Sequence, residues 1–318
     1  MADLPDPTRA VELPGPWQHR YVAANGARFH VVEADGAPAK APLVLLLHGF
    51  PEFWWAWRDQ LPAVAAAGFR AAAMDLRGYG GSDKTPNGYD PLTLAQDVAG
   101  VVKALGARRA VLVGQGWGGY VAWAVARQHP AQVAALATVS APHPTPMLAA
   151  VRRMALGRHR VKAIQHVLAM QLPMVPERRL ADPGSGFLRE HLRAWAAPGS
   201  GFPAEDVVAT YQSAIGLWPS SHCALEYHRW LFRSRLRADG REFARLMVPA
   251  VTQPALCLAG AADPALPARA VSASAEHVSG PFESHLLDGV GHFCHEEAPA
   301  QVTDLLLDWL RRLHADPA

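Results

Sequence analysis

Val111-Leu112-Val113-Gly114-Gln115-Gly116-Trp117-Gly118-Gly119 joins an apolar strand, a tight glycine turn and the start of an Ala/Val-rich helix. A strand-to-helix turn of the form Gly-x-nucleophile-x-Gly raises its middle residue toward a substrate. Here the middle residue is Gly116, which has no side chain to raise. The function of the chain therefore depends on what surrounds that position and on what the surroundings can do without a nucleophile.

Strand and helix signals alternate on either side of the turn, as in a largely parallel sheet covered by helices on both faces. Tyr21–Ala23 and Phe29–Glu33 read as a hairpin closed at Asn25-Gly26, and the apolar run Pro42–Leu47 as a buried parallel strand. Trp54–Ala67 is predicted to be one helix, Phe69–Met74 a strand and Leu92–Leu105 a helix. Ala110–Val113 is the strand before the turn and Gly118–Gln128 the helix after it. Val133–Val139 is the next strand. Between Pro142 and about Pro249 the strands stop, and His143–Val248 carries 15 Lys/Arg against 8 Asp/Glu. Alternation returns with strands at Ala255–Leu258 and Ser284–Leu287 and a helix at Ala300–Leu313. The chain thus divides into a first core part (1–141), a helical insertion acting as a cap (142–249) and a second core part (250–318). The basic stretch Leu148–Met174 is expected to be a solvated cap face.

Composition narrows the function classes. A net charge of +2 gives no field for drawing in nucleic acid or an anionic membrane surface. No apolar run approaches the roughly 18 residues of a membrane-spanning helix, and the first residues lack the apolar region of a secretory signal. Cys223, Cys257 and Cys294 are odd in number and far apart, without metal-ligand spacing. A cytoplasmic protein with no metal and no cofactor is expected, with a small apolar organic molecule as its partner.

Three further motifs surround the turn. His48-Gly49-Phe50-Pro51-Glu52 follows the strongest strand and can present the Phe50 amide into the crevice at the strands' C-terminal ends. With the Trp117 amide it would make an oxyanion hole. Asp263 follows the strand Ala255–Leu258, and His292 follows Ser284–Leu287. A carboxylate that accepts from one imidazole nitrogen fixes the tautomer and supports the charge the ring gains as a base.

On these residues the chain resembles the epoxide hydrolase and haloalkane dehalogenase branch of the α/β-hydrolases. The resemblance rests on His48–Glu52, Trp54–Arg58, Asp75-Leu76-Arg77-Gly78-Tyr79-Gly80-Gly81-Ser82-Asp83, the turn with Trp117-Gly118-Gly119, Pro142-His143-Pro144 and Gly291-His292-Phe293. It implies the α/β-hydrolase fold: a mostly parallel eight-stranded sheet flanked by helices, with a helical cap inserted. It also implies His292 and Asp263 as catalytic pair, Phe50 and Trp117 as oxyanion hole, and a substrate held between core and cap. Trp54, Gln115, Tyr227 and His228 are the expected substrate-side residues.

Two departures stand out. Epoxide hydrolases usually read Gly-His-Asp-Trp-Gly-Gly at the turn, where the Asp attacks the epoxide; here Gln115 and Gly116 replace His and Asp. Cap tyrosines normally donate to the epoxide oxygen, one of them in an Asn-Trp-Tyr-Arg-like motif. The segment here is Leu225-Glu226-Tyr227-His228-Arg229, with His228 at the tyrosine's place. Three readings follow. His292 and Asp263 activate water that attacks an epoxide or activated ester directly; the protein binds an apolar ligand without turnover; or the His–Asp pair performs cofactor-free proton abstraction, as in a lyase, cyclase or oxygenase. Ser140 and Cys294 are the candidates for a displaced nucleophile.

Overall fold

The computed structural model describes residues 8–38, 40–156, 169–264, 266 and 268–315. One eight-stranded sheet organises the chain, in the order β1-β2-β4-β3-β5-β6-β7-β8. β1 (Trp17–Ala24) and β2 (Ala27–Ala34) form an antiparallel hairpin, and β2 pairs antiparallel with β4 (Arg70–Met74). The remaining neighbours, β3 (Leu43–Leu47), β5 (Ala110–Gln115), β6 (Val133–Val139), β7 (Ala255–Gly260) and β8 (Phe282–Leu287), pair in parallel. Asn25 and Gly26 both have positive φ, 45° and 73°, as a two-residue turn matched to strand twist requires.

Every residue of β3 is buried, and so is every residue of β5. That is the pattern of central strands covered on both faces, where each backbone polar group is satisfied by a neighbouring strand and each side chain meets a helix. α1 (Gln60–Ala66), α2 (Pro91–Ala104) and α3 (Trp117–Gln128) are the crossovers of the first half. The stretch Trp54–Ala67 is not one helix. A 3-10 turn at Trp54–Trp57 precedes α1. Pro62 explains the break: it has no N–H to give the carbonyl of Arg58, and its ring crowds that carbonyl.

Between β6 and β7 run the helices Pro144–Leu156, Val175–Ala181, Phe187–Trp195, Glu205–Ile215, Ser220–Arg233 and Ala238–Leu246. Residues 157–168 of the basic stretch Leu148–Met174 lie outside the described residues. The helices hold one another partly through Arg229, 3 % exposed, which donates to Glu177 at 2.7 Å and to the carbonyls of Met170 and Leu172. They hold the sheet domain through polar contacts: Tyr227 Oη donates to the Arg77 carbonyl at 2.7 Å, Arg127 Nε to that of Leu246 at 3.0 Å, and the His292 amide to that of Trp195 at 2.9 Å. No helix among the described residues is long and apolar enough to cross a membrane.

Candidate active site

The site assembles at the C-terminal ends of β3, β5, β7 and β8, where open α/β sheets bind ligands. β5 ends at Gln115, and the chain turns at Gly116 with φ 49° and ψ −114° before entering α3. A side chain at that φ would be strained by about 1–3 kcal/mol, whereas glycine adopts it freely. Gly118 is fixed by a different constraint: a Cβ there would lie 2.2 Å from the Leu47 carbonyl oxygen, so α3 can start against β3 only without one.

His292 faces the turn. Its Nδ1 pairs with Asp263 Oδ2 at 2.8 Å, and the Asp263 side chain is fully buried. Its Nε2 stands 3.6 Å from the point a Cβ on Gly116 would occupy, at ordinary van der Waals distance. Burial disfavours the imidazolium, but the Asp263 carboxylate outweighs it, with smaller help from Glu52 and Glu297, and His292 titrates above the ordinary imidazole range. The loop carrying it is clamped by Glu297. That carboxylate accepts from the amides of Gly291 (2.9 Å) and Phe293 (3.0 Å), on either side of His292, and from Ala197 on the cap side (2.8 Å).

Phe50 and Trp117 line the same cavity as Gly116 and His292. Neither amide is taken by an acceptor among the described residues, and the Trp117 amide belongs to the first turn of α3. Backbone N–H groups at a helix start favour negative charge. The cavity has a volume of about 170 Å³; Tyr120, Ala141, Met147, Trp195, Leu231 and Leu266 give it apolar walls, and Ser140, His191 and His228 are its other polar residues. Larger depressions of about 330, 630 and 660 Å³ lie elsewhere and include neither Gly116 nor His292.

Of the residues expected beside a substrate, the structure brings His228 to the cavity and leaves three outside it. Tyr227 is fully buried and spends its hydroxyl on the Arg77 carbonyl. Adjacent residues on a helix point about 100° apart, so Tyr227 and His228 cannot both face the substrate. Trp54 is buried in the 3-10 turn, and its indole donates to the Val11 carbonyl at 2.7 Å. Gln115 is buried behind the turn, where its amide donates to the His292 carbonyl at 3.3 Å. Its Oε1 packs close against Gly49.

His228 itself is held. Its Nε2 accepts from the Trp117 indole at 3.2 Å and its Nδ1 faces the Ala224 carbonyl at 3.3 Å. Accepting at Nε2 and donating at Nδ1 is the pattern of a neutral ring. The sequence reading missed His191. It sits in Phe187–Trp195, 7 % exposed, one helical turn from both Phe187 and Trp195, and its ring meets Phe50 at 5.2 Å. The spacing Phe187-x-x-x-His191-x-x-x-Trp195 was a usable signal for a face turned to the core.

Among the described residues neither displaced-nucleophile candidate has a base hydrogen-bonded to its side chain. Burial pushes the Cys294 thiol up to about 12, which keeps it protonated. Ser140, with a strained φ of 49°, pairs its hydroxyl with the Cys294 sulfur at 3.3 Å. Among the described residues one group, Glu52, His295 and Glu296, brings metal-ligand atom types within 4.8 Å of one another. Glu296 is already neutralised by Arg58, which grips both its oxygens at 2.8 Å, and Tyr211 donates to it as well.

Comparison with known proteins agrees with the geometry. The sequence model described as the alpha/beta hydrolase fold matches residues 42–160. Epoxide hydrolase A of Mycobacterium tuberculosis is 33% identical over 92% of this chain and 97% of its own length. Epoxide hydrolase 3 of Xenopus tropicalis is 32% identical over 92% of this chain and 78% of its own. The solved structure of an epoxide hydrolase from an endophytic Streptomyces superposes with a TM-score of 0.80 at 31% identity, covering 95% of this chain and 98% of that one.

Proposed function

Since the chain belongs to the epoxide hydrolase branch of the α/β-hydrolases, we propose that it is a hydrolase in which water, not a side chain, attacks the substrate. His292 Nε2 takes a proton from a water at the Gly116 turn, and the water oxygen bonds to an electrophilic carbon held in the cavity. Asp263 stabilises the imidazolium that results. With a carbonyl substrate, the carbonyl electron pair moves onto its oxygen, which accepts from the Phe50 and Trp117 amides. Collapse then expels the alcohol oxygen, and His292 returns the proton to it. The observation that carries this reading is the 3.6 Å approach of His292 Nε2 to the side-chain position of Gly116, with Asp263 behind the ring.

An activated ester or lactone suits this arrangement better than an epoxide. Opening an epoxide leaves an alkoxide outside the oxyanion hole, which needs a proton from the cap. Tyr227 is committed to Arg77, and His228 is a neutral acceptor of the Trp117 indole. The substrate of the named relatives remains a second reading because His191 also lines the cap wall and offers an imidazole there.

Hydrolysis of p-nitrophenyl esters of small apolar acids, and of styrene oxide, tests the proposal. Slow turnover that His292→Ala abolishes is expected. Turnover that survives this substitution overturns water activation by His292. Tight retention of an apolar ligand with no product from either class leaves a binding protein.

A further inference from the structure

The turn at Gly116 has more capacity than water activation uses. A molecule not bonded to Gly116 cannot sit where a Cβ would. It must stop at van der Waals distance from the backbone, about 2 Å further out, near the place a carboxylate on an Asp side chain would reach. Three groups there belong to residues that line this cavity. The Phe50 and Trp117 amides have no acceptor among the described residues. The third is Nε2 of His292, a residue 7 % exposed whose other nitrogen is held by Asp263. Two fixed N–H donors and an imidazolium match the two oxygens of one planar anion, and such charge-assisted bonds are roughly twice as strong as neutral ones. The 12-residue helix α3 starts at this point and adds its positive end.

The other end of the space differs. Met147, Leu231 and Leu266 add apolar lining, and the Trp195 ring packs on His292 at 4.9 Å, within a total of about 170 Å³. A dry apolar cavity of about 150 Å³ holds a benzene ring. The space as a whole therefore suits a ligand of one small ring, or a branched chain of similar bulk, with a short head group.

We propose that this cavity is a receptor site for small apolar monocarboxylic acids, with the carboxylate at the Gly116 turn against the Phe50 and Trp117 amides and His292, and the tail under the cap. The inference deepens the hydrolase reading and rests on the same site: the acid is the product class of ester or lactone cleavage. An Asp at the turn would place its own carboxylate where the ligand's head goes. Gly116 thus opens an anion site that a side-chain nucleophile would close.

Binding should take up a proton at His292. The groups facing that ring are Asp263, Glu52 and Glu297 from the core, with His191 and His228 on the cap wall. Above the His292 titration, affinity should fall about tenfold per pH unit, the slope of one linked proton.

Titration calorimetry of the full chain with phenylacetate, phenylacetamide and 2-phenylethanol tests this. Phenylacetate is expected to bind at one to one and at least tenfold tighter than the two neutral analogues. Gly116→Asp should weaken it at least tenfold while leaving thermal unfolding cooperative, and His292→Gln should abolish the pH slope. A carboxyl-labelled phenylacetate followed by carbon NMR gives an independent readout, with a bound resonance that Gly116→Asp removes. Equal affinity for acid and amide, or an unchanged affinity in Gly116→Asp, overturns the proposal. Ester turnover without acid binding would sink this inference and leave the hydrolase reading standing. Acid binding without turnover of any ester would do the reverse.

Discussion

His292 Nε2 and Gly116 are separated by 3.6 Å, measured to the Cβ that Gly116 lacks, so a base faces the one residue of the turn that cannot serve as its nucleophile. Asp263 holds the opposite side of the ring at 2.8 Å. In such a pair the base survives the loss of its usual partner, and the consequences can be measured.

The base and its carboxylate should act as a unit. A positioned general base contributes about 10²–10⁴-fold. His292→Ala is expected to remove that whole factor from ester hydrolysis, and Asp263→Asn most of it, by steady-state kinetics with p-nitrophenyl esters. A full-rate Asp263→Asn enzyme would contradict the assignment.

The pH profile follows from the direction of the His292 shift. The base works as the neutral ring, so the rate should rise with pH through a midpoint above the ordinary imidazole value of about 6.5. Glu297→Gln removes one of the negative charges that raise it, and the midpoint should move down. Stability runs the other way. A raised folded-state value contributes stability that is fully present below the unfolded value and is lost as pH rises through the folded one. Urea midpoints of the native chain and His292→Gln, compared from pH 5 to 9, should therefore converge at the alkaline end.

Gly116→Asp should trade stability for a covalent path. At φ 49° a side chain costs about 1–3 kcal/mol, so the melting temperature should drop. With His292→Gln added to block ester hydrolysis, intact mass after styrene oxide should show one substrate adduct, the alkoxide taking its proton from the cap imidazole of His191. The native chain should show none.

Tyr227 should be structural. Tyr227→Phe leaves the Arg77 carbonyl without its partner, at a cost of about 1–3 kcal/mol. Ester turnover per folded molecule should stay unchanged. A large loss of turnover at unchanged stability would return Tyr227 to the substrate.

The cap depends on a buried ion pair. Arg229→Ala leaves the buried Glu177 carboxylate with only the half-exposed His222 beside it, and a loss of up to about 3–5 kcal/mol is expected. Denaturant unfolding should show it, and Arg229→Met with Glu177→Leu should recover much of the difference.

How much of this was legible in the chain varied with the range of the interaction involved. The Asn25-Gly26 hairpin, the all-apolar β3 and the glycine turn before α3 are written locally, because strand burial and positive φ select residue types at the positions themselves. Trp54–Ala67 was misread as one helix although Pro62 was in plain view, since its periodicity masked the missing donor. His191 carries no motif of its own, and the helix spacing Phe187, His191, Trp195 is its informative feature. Tyr227 is one residue from His228 in sequence but about 100° of rotation away on the helix, which turns it from the cavity to the Arg77 carbonyl.

Sequence alone determined the strand–helix alternation, the interruption between β6 and β7, and the bare apex at Gly116, since each depends on residue type and nearest neighbours along the chain. Only the tertiary structure decided which side chains face the cavity. His292, Asp263, Phe50 and Gly116 come from loops after four different strands, and the helix rotation that buries Tyr227 and presents His191 and His228 is fixed by packing against the core. Those contacts join residues far apart in the chain, and local spacing marks which residues share a helix face but not which cavity or partner that face meets.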